Sequence, residues 1–230
     1  MKKFGDAAFE FLKDLKPDFA IPDGISCLLP FEDPEVISIN KTFYKKFYND
    51  NFPRKLILGI NPGRFGSGVT GISFTDPVKL ETELGIENSF AKRAELSSDF
   101  IYQVITQFGG PEIFFRQFYI TAVCPIGFIS DSKNINYYDN KELTQSVQGF
   151  IIQNIELQLR FGIDRTVAFC LGEGENFKFL NRLNTKYRFF EKIIPLAHPR
   201  FIMQYRRKLL VDYVNAYLNA LNGNNSLKMQ

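Results

Sequence analysis

Cysteine is scarce in this chain of 230 residues: Cys27, Cys124 and Cys170 stand far apart and no C-x-x-C occurs. Neither a disulfide framework nor a four-thiolate iron–sulfur cluster can be built from them. Cys124 and Cys170 lie in apolar, strand-like runs and read as buried free thiols. Histidine is scarcer still, with His198 alone. With no second histidine and no cysteine cluster, no metal site or other cofactor is expected, and no Ser–His–Asp constellation can be placed. Long apolar runs are missing too. Nothing approaches the ~20 residues of a membrane span. The amino-terminal MKKFGDAAFEFLKDLK sets Asp6, Glu10 and Asp14 among apolar residues at helical spacing, so it reads as an amphipathic helix and not as a signal peptide. No membrane partner is expected, and the cytoplasm is the default location. Internal repeats, low-complexity segments and evident linkers are also absent. One domain over 1–222 is expected, with a helical part at 1–50, a core at 55–210 and a polar tail at 223–230. Nothing demands more than a monomer.

Four runs rich in β-branched and aromatic residues predict strands at 55–60, 118–123, 166–171 and 190–196. They are continuously apolar more than alternating, as in parallel strands covered on both faces. Helical periodicity marks 95–108 (capped by a nearby serine), 141–161, 173–183 and 203–221. Strands alternating with helices predict an α/β fold, a three-layer α/β/α sandwich around a mainly parallel four-stranded sheet. Each strand runs into a punctuated loop: Asn61-Pro-Gly, Cys124-Pro-Ile-Gly, Gly172-Glu-Gly and Ala197-His-Pro-Arg. In open α/β sheets ligands bind outside the carboxyl ends of the strands. The four loops are therefore expected to converge on one edge.

The first of them, GINPGRFGSGVTGISF at 59–74, holds five glycines. Glycine loses more freedom on folding than any other residue, so their number calls for a reason. A Walker loop would need G-K-[ST], which is absent. A dinucleotide fingerprint would need a helix where ISFTDP follows, and Pro77 is expected to block one. What remains is a loop whose backbone can approach a ligand, with an amide at Asn61 and a flat ring at Phe74. Those parts suit a planar, hydrogen-bonding molecule such as a nucleobase. The net charge of +3 permits a polyanion without requiring one. Between His198 and Lys208, however, Arg200, Arg206, Arg207 and Lys208 meet no acidic residue.

GINPGRFGSGVTGISF resembles the first motif of the single-strand-selective monofunctional uracil-DNA glycosylase group, G-x-N-P-G-x-F-G-x-x-x-T-G-x-x-F. LAHPRF resembles the second motif of the group, in which a His-Pro pair opens a loop that enters DNA. LGIE (84–87), AELSSDFIY (94–102) and GGPEIFFRQFYITAVCPIGF (109–128) are similar to the segments between, so the likeness spans roughly 55–210. The resemblance implies a cofactor-free enzyme, acting on DNA, that cuts the N-glycosidic bond of a flipped-out base. It implies Asn61 and His198 as the catalytic pair, one positioning water and the other donating a hydrogen bond to the departing base. Gly63, Arg64 and Phe65 would approach the base or phosphates through their backbone, alongside the matching Thr70 and Gly71. Phe74 would stack on the base, and Ala122 and Cys124 would complete the base site. Pro199, Arg200 and Phe201 would enter the gap left by the flipped nucleotide, Arg206 and Arg207 would meet phosphates, and Gly172 would face DNA.

Two departures bear on substrate. Uracil-specific relatives read the base through an asparagine two residues before Cys-Pro, where this chain has Ala122. A methyl group cannot supply the paired donor and acceptor that separate uracil from cytosine. The His-Pro pair also lacks the Ser-Pro step that follows it in the group. Uracil, xanthine or another damaged base therefore all stay open as substrates. So do a damaged-DNA or single-strand binding module with weak or lost chemistry, and a hydrolase of free nucleosides.

Overall fold

The computed structural model describes residues 2–223, so tail positions 224–230 lie outside the described residues. Helix α1 (Phe4–Lys13) opens the chain, followed by the short strand β1 (Ile25–Leu28) and helix α2 (Pro34–Phe47). α1 and α2 pack closely because Gly5 has no side chain: a Cβ there would stand 2.6 Å from the Tyr44 carbonyl oxygen. Just past α2, Arg54 is wholly buried between the rings of Phe4 and Tyr48, 4.6 and 4.8 Å from their centroids. Its Nη1 and Nη2 donate to Asp50 at 2.8 and 3.0 Å, and its Nε donates to the Phe115 carbonyl at 2.7 Å.

Strand β2 (Lys55–Gly59) is followed by short helices α3 (Ser67–Thr70) and α4 (Pro77–Thr82). Then α5 (Leu96–Phe108) and α6 (Pro111–Gln117) lead directly into β3 (Phe118–Ala122). A hairpin of β4 (Gly127–Ser130) and β5 (Lys133–Ile135) precedes α7 (Lys141–Leu159). The chain continues through β6 (Val167–Leu171), α8 (Glu175–Tyr187), β7 (Lys192–Leu196), α9 (Pro199–Tyr205) and α10 (Leu210–Leu221).

The four expected strands pair in parallel, in the order β3-β2-β6-β7, and helices flank them. The architecture is the α/β sandwich that the apolar runs predict. Because β2 leads to β3 on one side while β6 lies on its other side, the order in which the chain adds strands reverses between β2 and β6, and a ligand crevice is expected at the carboxyl ends there. A second sheet, β1-β4-β5, is antiparallel. Its strands of three or four residues are too short to leave a periodic signal.

Other boundaries differ from expectation for identifiable reasons. Pro77 does not block a helix but starts α4: Asp76 Oδ1 accepts the N–H groups of Val78 and Lys79 at 2.9 Å each. At a first helical position proline gives up only an N–H that has no partner anyway. No serine caps α5; Glu95 holds the N-cap position without a side-chain cap bond. The expected helix at 203–221 is two helices, because the backbone at Arg206 (φ −128°, ψ 23°) breaks the run before a 3-10 turn at Arg207–Leu209. Among the described residues no helix is long and apolar enough to cross a membrane.

Candidate active site

At the carboxyl edge of the parallel sheet lies a cavity of about 120 Å³. Its wall takes residues 59–63 from the end of β2, residues 121–122 from β3, and His198 and Arg200 from beyond β7. Phe74, Glu95 and residues 134–136 close the remaining sides. Two of the four punctuated loops, those after β2 and β7, thus converge as expected, while β3 contributes only its last two residues and Cys124-Pro-Ile-Gly stays outside the wall. The loop after β6 does not line the cavity: Gly172 (φ +113°) turns the chain there, its N–H donating to the Leu196 carbonyl at 2.7 Å.

Asn61 leaves β2 and meets the end of β5 and the segment just after it. Its Oδ1 accepts the N–H of Tyr137 at 3.1 Å, and its Nδ2 donates to the Ile135 carbonyl at 3.2 Å. Both ends of the amide are therefore gripped by peptide groups, which fixes its orientation and leaves a second lone pair on Oδ1. This clamp is invisible in sequence, since any residues at 135 and 137 other than a proline at 137 would supply it.

The glycines of the loop make room for particular neighbours. Gly59 faces the ring of Phe74, and Phe74 itself holds a left-handed backbone (φ +53°) that side chains rarely adopt. A Cβ on Gly68 would overlap the Leu28 side chain and stand 2.6 Å from the Gly63 carbonyl oxygen. A Cβ on Gly66 would overlap Glu95 Oε2, and one on Gly63 would come within 3.7 Å of Oε1. The loop is thin where it wraps a carboxyl group.

His198 caps α9: its Nδ1 accepts the Arg200 N–H at 3.2 Å. A ring nitrogen that accepts carries no proton, so the neutral ring bears its proton on Nε2 and is a donor there. Burial, followed by the positive charge of Arg200, holds its pKa down to about 4, so the imidazole is neutral at physiological pH. Its ring centroid lies 6.1 Å from that of Phe74, which brings the two motifs together.

Glu95 carries no signal of its own in the sequence, because an acidic residue at a helix start is the ordinary partner of the helix dipole. Here it belongs to the cavity wall. Its own N–H donates to Asp76 Oδ2 at 2.9 Å. Burial, followed by the Asp76 charge, raises its carboxyl to about 7 against the opposing pull of Arg200.

Ala122, at the end of β3 opposite Gly59, presents its methyl to the cavity. Thr121 turns its hydroxyl to the other face, bonding Gln158 Oε1 at 2.7 Å, as strand alternation requires. Behind Ala122 lies an apolar recess of about 190 Å³ walled by Leu12, Leu15, Leu28 and Phe31. Pro62, Ser67, Ser73 and residues 121–122 separate it from the first cavity.

Other residues implied by the motifs lie outside the cavity wall. Thr70 is fully buried, its hydroxyl donating to the Thr75 carbonyl at 2.6 Å, and Gly71 supplies the left-handed turn after α3 (φ +74°). Cys124 is buried, and the thiol is pushed up to about 12, chiefly by that burial. Arg64 and Arg93 stack over the Phe65 ring, 4.5 and 3.6 Å from its centroid. Pro199 is buried as the first residue of α9. Phe201 and Tyr205 are exposed on α9, their rings 5.9 Å apart, next to exposed Arg206 and Arg207.

A model of the uracil DNA glycosylase superfamily matches residues 45–222. The crystal structure of wild-type Pedobacter heparinus SMUG2 is similar over 98% of this chain and 100% of that one, with 49% identity and a TM-score of 0.95. No curated protein matches. The sheet, the cavity at its carboxyl edge and the two motifs that meet there agree with these likenesses: the chain belongs to the uracil DNA glycosylase superfamily and is a DNA glycosylase.

Proposed function

We propose that the chain is a monofunctional base-excision repair enzyme that hydrolyses the N-glycosidic bond of a flipped deaminated or damaged base, uracil or a related base such as xanthine. The observation that carries this reading is the single cavity bordered by Asn61, Phe74 and His198. Asn61 positions the attacking water, Phe74 stacks on the extruded base, and the Nε2–H of His198 donates to the base carbonyl as negative charge builds on it. A neutral donor suits that task, because it stabilises the developing anion without first being titrated. Among the described residues the wall contains no lysine. No amine is placed to attack C1′, so water is the nucleophile.

The base edge remote from the sugar meets the Ala122 methyl, so discrimination rests on shape more than on paired hydrogen bonds. Exposed Phe201 and Tyr205 fill the gap in the stack while Arg200, Arg206 and Arg207 meet phosphates. The enzyme works as a monomer in the cytoplasm.

Ala122 also favours a second reading, a damaged-DNA or single-strand binding module with weak chemistry. Oligonucleotides bearing uracil, xanthine, hypoxanthine or oxidised pyrimidines, single- and double-stranded, separate the two when scored for abasic sites. Release of free base supports the enzyme. Salt-sensitive binding without product on any of them supports the module.

A further inference from the structure

We propose that Glu95, whose carboxyl lies against Gly63 and Gly66 in the wall of the cavity that holds Asn61, is the general base that accepts a proton from the attacking water. The inference rests on the glycosidic reading of the site and adds a residue to it. Asn61 orients water but cannot take a proton, since an amide is far too weak a base. Both ends of its side chain are already committed to Tyr137 and Ile135. His198 presents a donor, not an acceptor, to the cavity. Glu95 supplies the missing acceptor.

Its geometry suits the role. Gly66 has no side chain where Oε2 lies, Oε1 comes within ordinary contact of Gly63, and Gly63 is two residues from Asn61, so the carboxyl flanks the loop that carries the amide. Among the described residues no side-chain or backbone donor satisfies it; burial, Asp76 and Arg200 alone set its protonation. The charged and titratable groups around it are Asp76 at the start of α4, and Arg200 and His198 at the start of α9. Asp76 is already engaged by the N–H groups of Val78, Lys79 and Glu95. A carboxyl held near neutrality by partial burial is matched to proton transfer at physiological pH.

The water oxygen bonds to C1′ while the C1′–N bond breaks and its electron pair leaves with the base. Glu95 takes one water proton and later returns it to solvent. The base departs as an anion held by the Nε2–H of His198 and is protonated outside the site.

The test is single-turnover base release from the best substrate of the oligonucleotide panel, measured from pH 5.5 to 9. Wild-type rates should rise with pH and level off above about 7. His198, at about 4, titrates well below that limb. Glu95→Gln should lower the plateau about 100-fold or more and flatten the limb. Glu95→Asp should keep the limb at a reduced plateau, and formate should partly restore Glu95→Ala. Thermal midpoints establish that each variant folds; if Glu95→Gln does not, Glu95→Asp and the formate rescue decide. A Glu95→Gln enzyme with wild-type rate and limb, a Glu95→Asp enzyme of undiminished rate, or the absence of rescue overturns the inference alone. A wild-type chain that releases no base from any oligonucleotide overturns the glycosidic reading and this inference with it.

Discussion

The end of the Phe74 ring fills the space that a side chain on Gly59 would need: a Cβ there would stand 2.8 Å from Cε2 and 3.0 Å from Cζ. The last residue of the central strand is therefore bare so that an aromatic face can lie across the floor of the cavity. Gly59→Ala should tilt or displace that ring without unfolding the sheet. Stacking on a base is worth ~1–3 kcal/mol, so base release should fall about 10- to 100-fold, with Phe74→Ala similar. Single-turnover kinetics check it; an unchanged Gly59→Ala rate would remove the ring from the reaction.

Asn61→Ala and His198→Ala should each reduce base release by about 100-fold or more. They should differ in stability. Asn61→Ala also removes the hydrogen bonds to Ile135 and Tyr137 and should cost about 1–3 kcal/mol. Denaturant unfolding beside kinetics separates lost chemistry from lost structure.

The low pKa of His198, set first by burial and then by Arg200, has a sign that can be read in stability. The folded value, about 4, lies below the ordinary value of 6.5. Protonation therefore favours the unfolded chain. The contribution is full above about pH 6.5 and is lost as pH falls towards 4. His198→Asn retains a capping side chain but cannot titrate. Its thermal midpoint should drop less than wild type between pH 6.5 and 4.

Ala122→Asn would return an amide to the wall facing the base edge. The ratio of uracil to xanthine release should rise at least about 10-fold, because a site built to hydrogen-bond one base rejects another that leaves its polar groups unpaired. Competition between the two oligonucleotides in one reaction measures the ratio directly.

Arg54→Ala should destabilise the fold by about 2–5 kcal/mol, since it opens a hole between Phe4 and Tyr48 and leaves the Phe115 carbonyl without its donor. Arg54 lies outside the cavity wall. The rate of folded enzyme at low temperature should consequently be spared, and a urea titration reports the loss.

The central sheet is legible in sequence because its strands are covered on both faces and so appear as unbroken apolar runs, Leu56–Leu58 among them. Strands such as Lys133–Ile135, short and mostly exposed, carry no such pattern. That Asn61, Phe74 and His198 border one cavity is legible because they stand at or near the carboxyl ends of strands, in motifs of fixed spacing. Glu95 is not, since an acid at a helix start has a commoner explanation. Pro77 misleads for a related reason: its effect depends on whether it falls at the first helical position, which only the cap at Asp76 settles. The break at Arg206 is hidden as well, because charged residues suit a helix and a 3-10 turn alike.

The grip of two peptide groups on Asn61 has a consequence for how the enzyme can change. Replacing side chains across the hairpin leaves a carbonyl at 135 and, proline aside, an N–H at 137, so point mutation barely disturbs the aim of the amide. Altering the length of the hairpin is another matter. One residue inserted or deleted between 127 and 137 would slip the peptide register and swing the amide off target, a lesion that no compensating side chain in the cavity could mend.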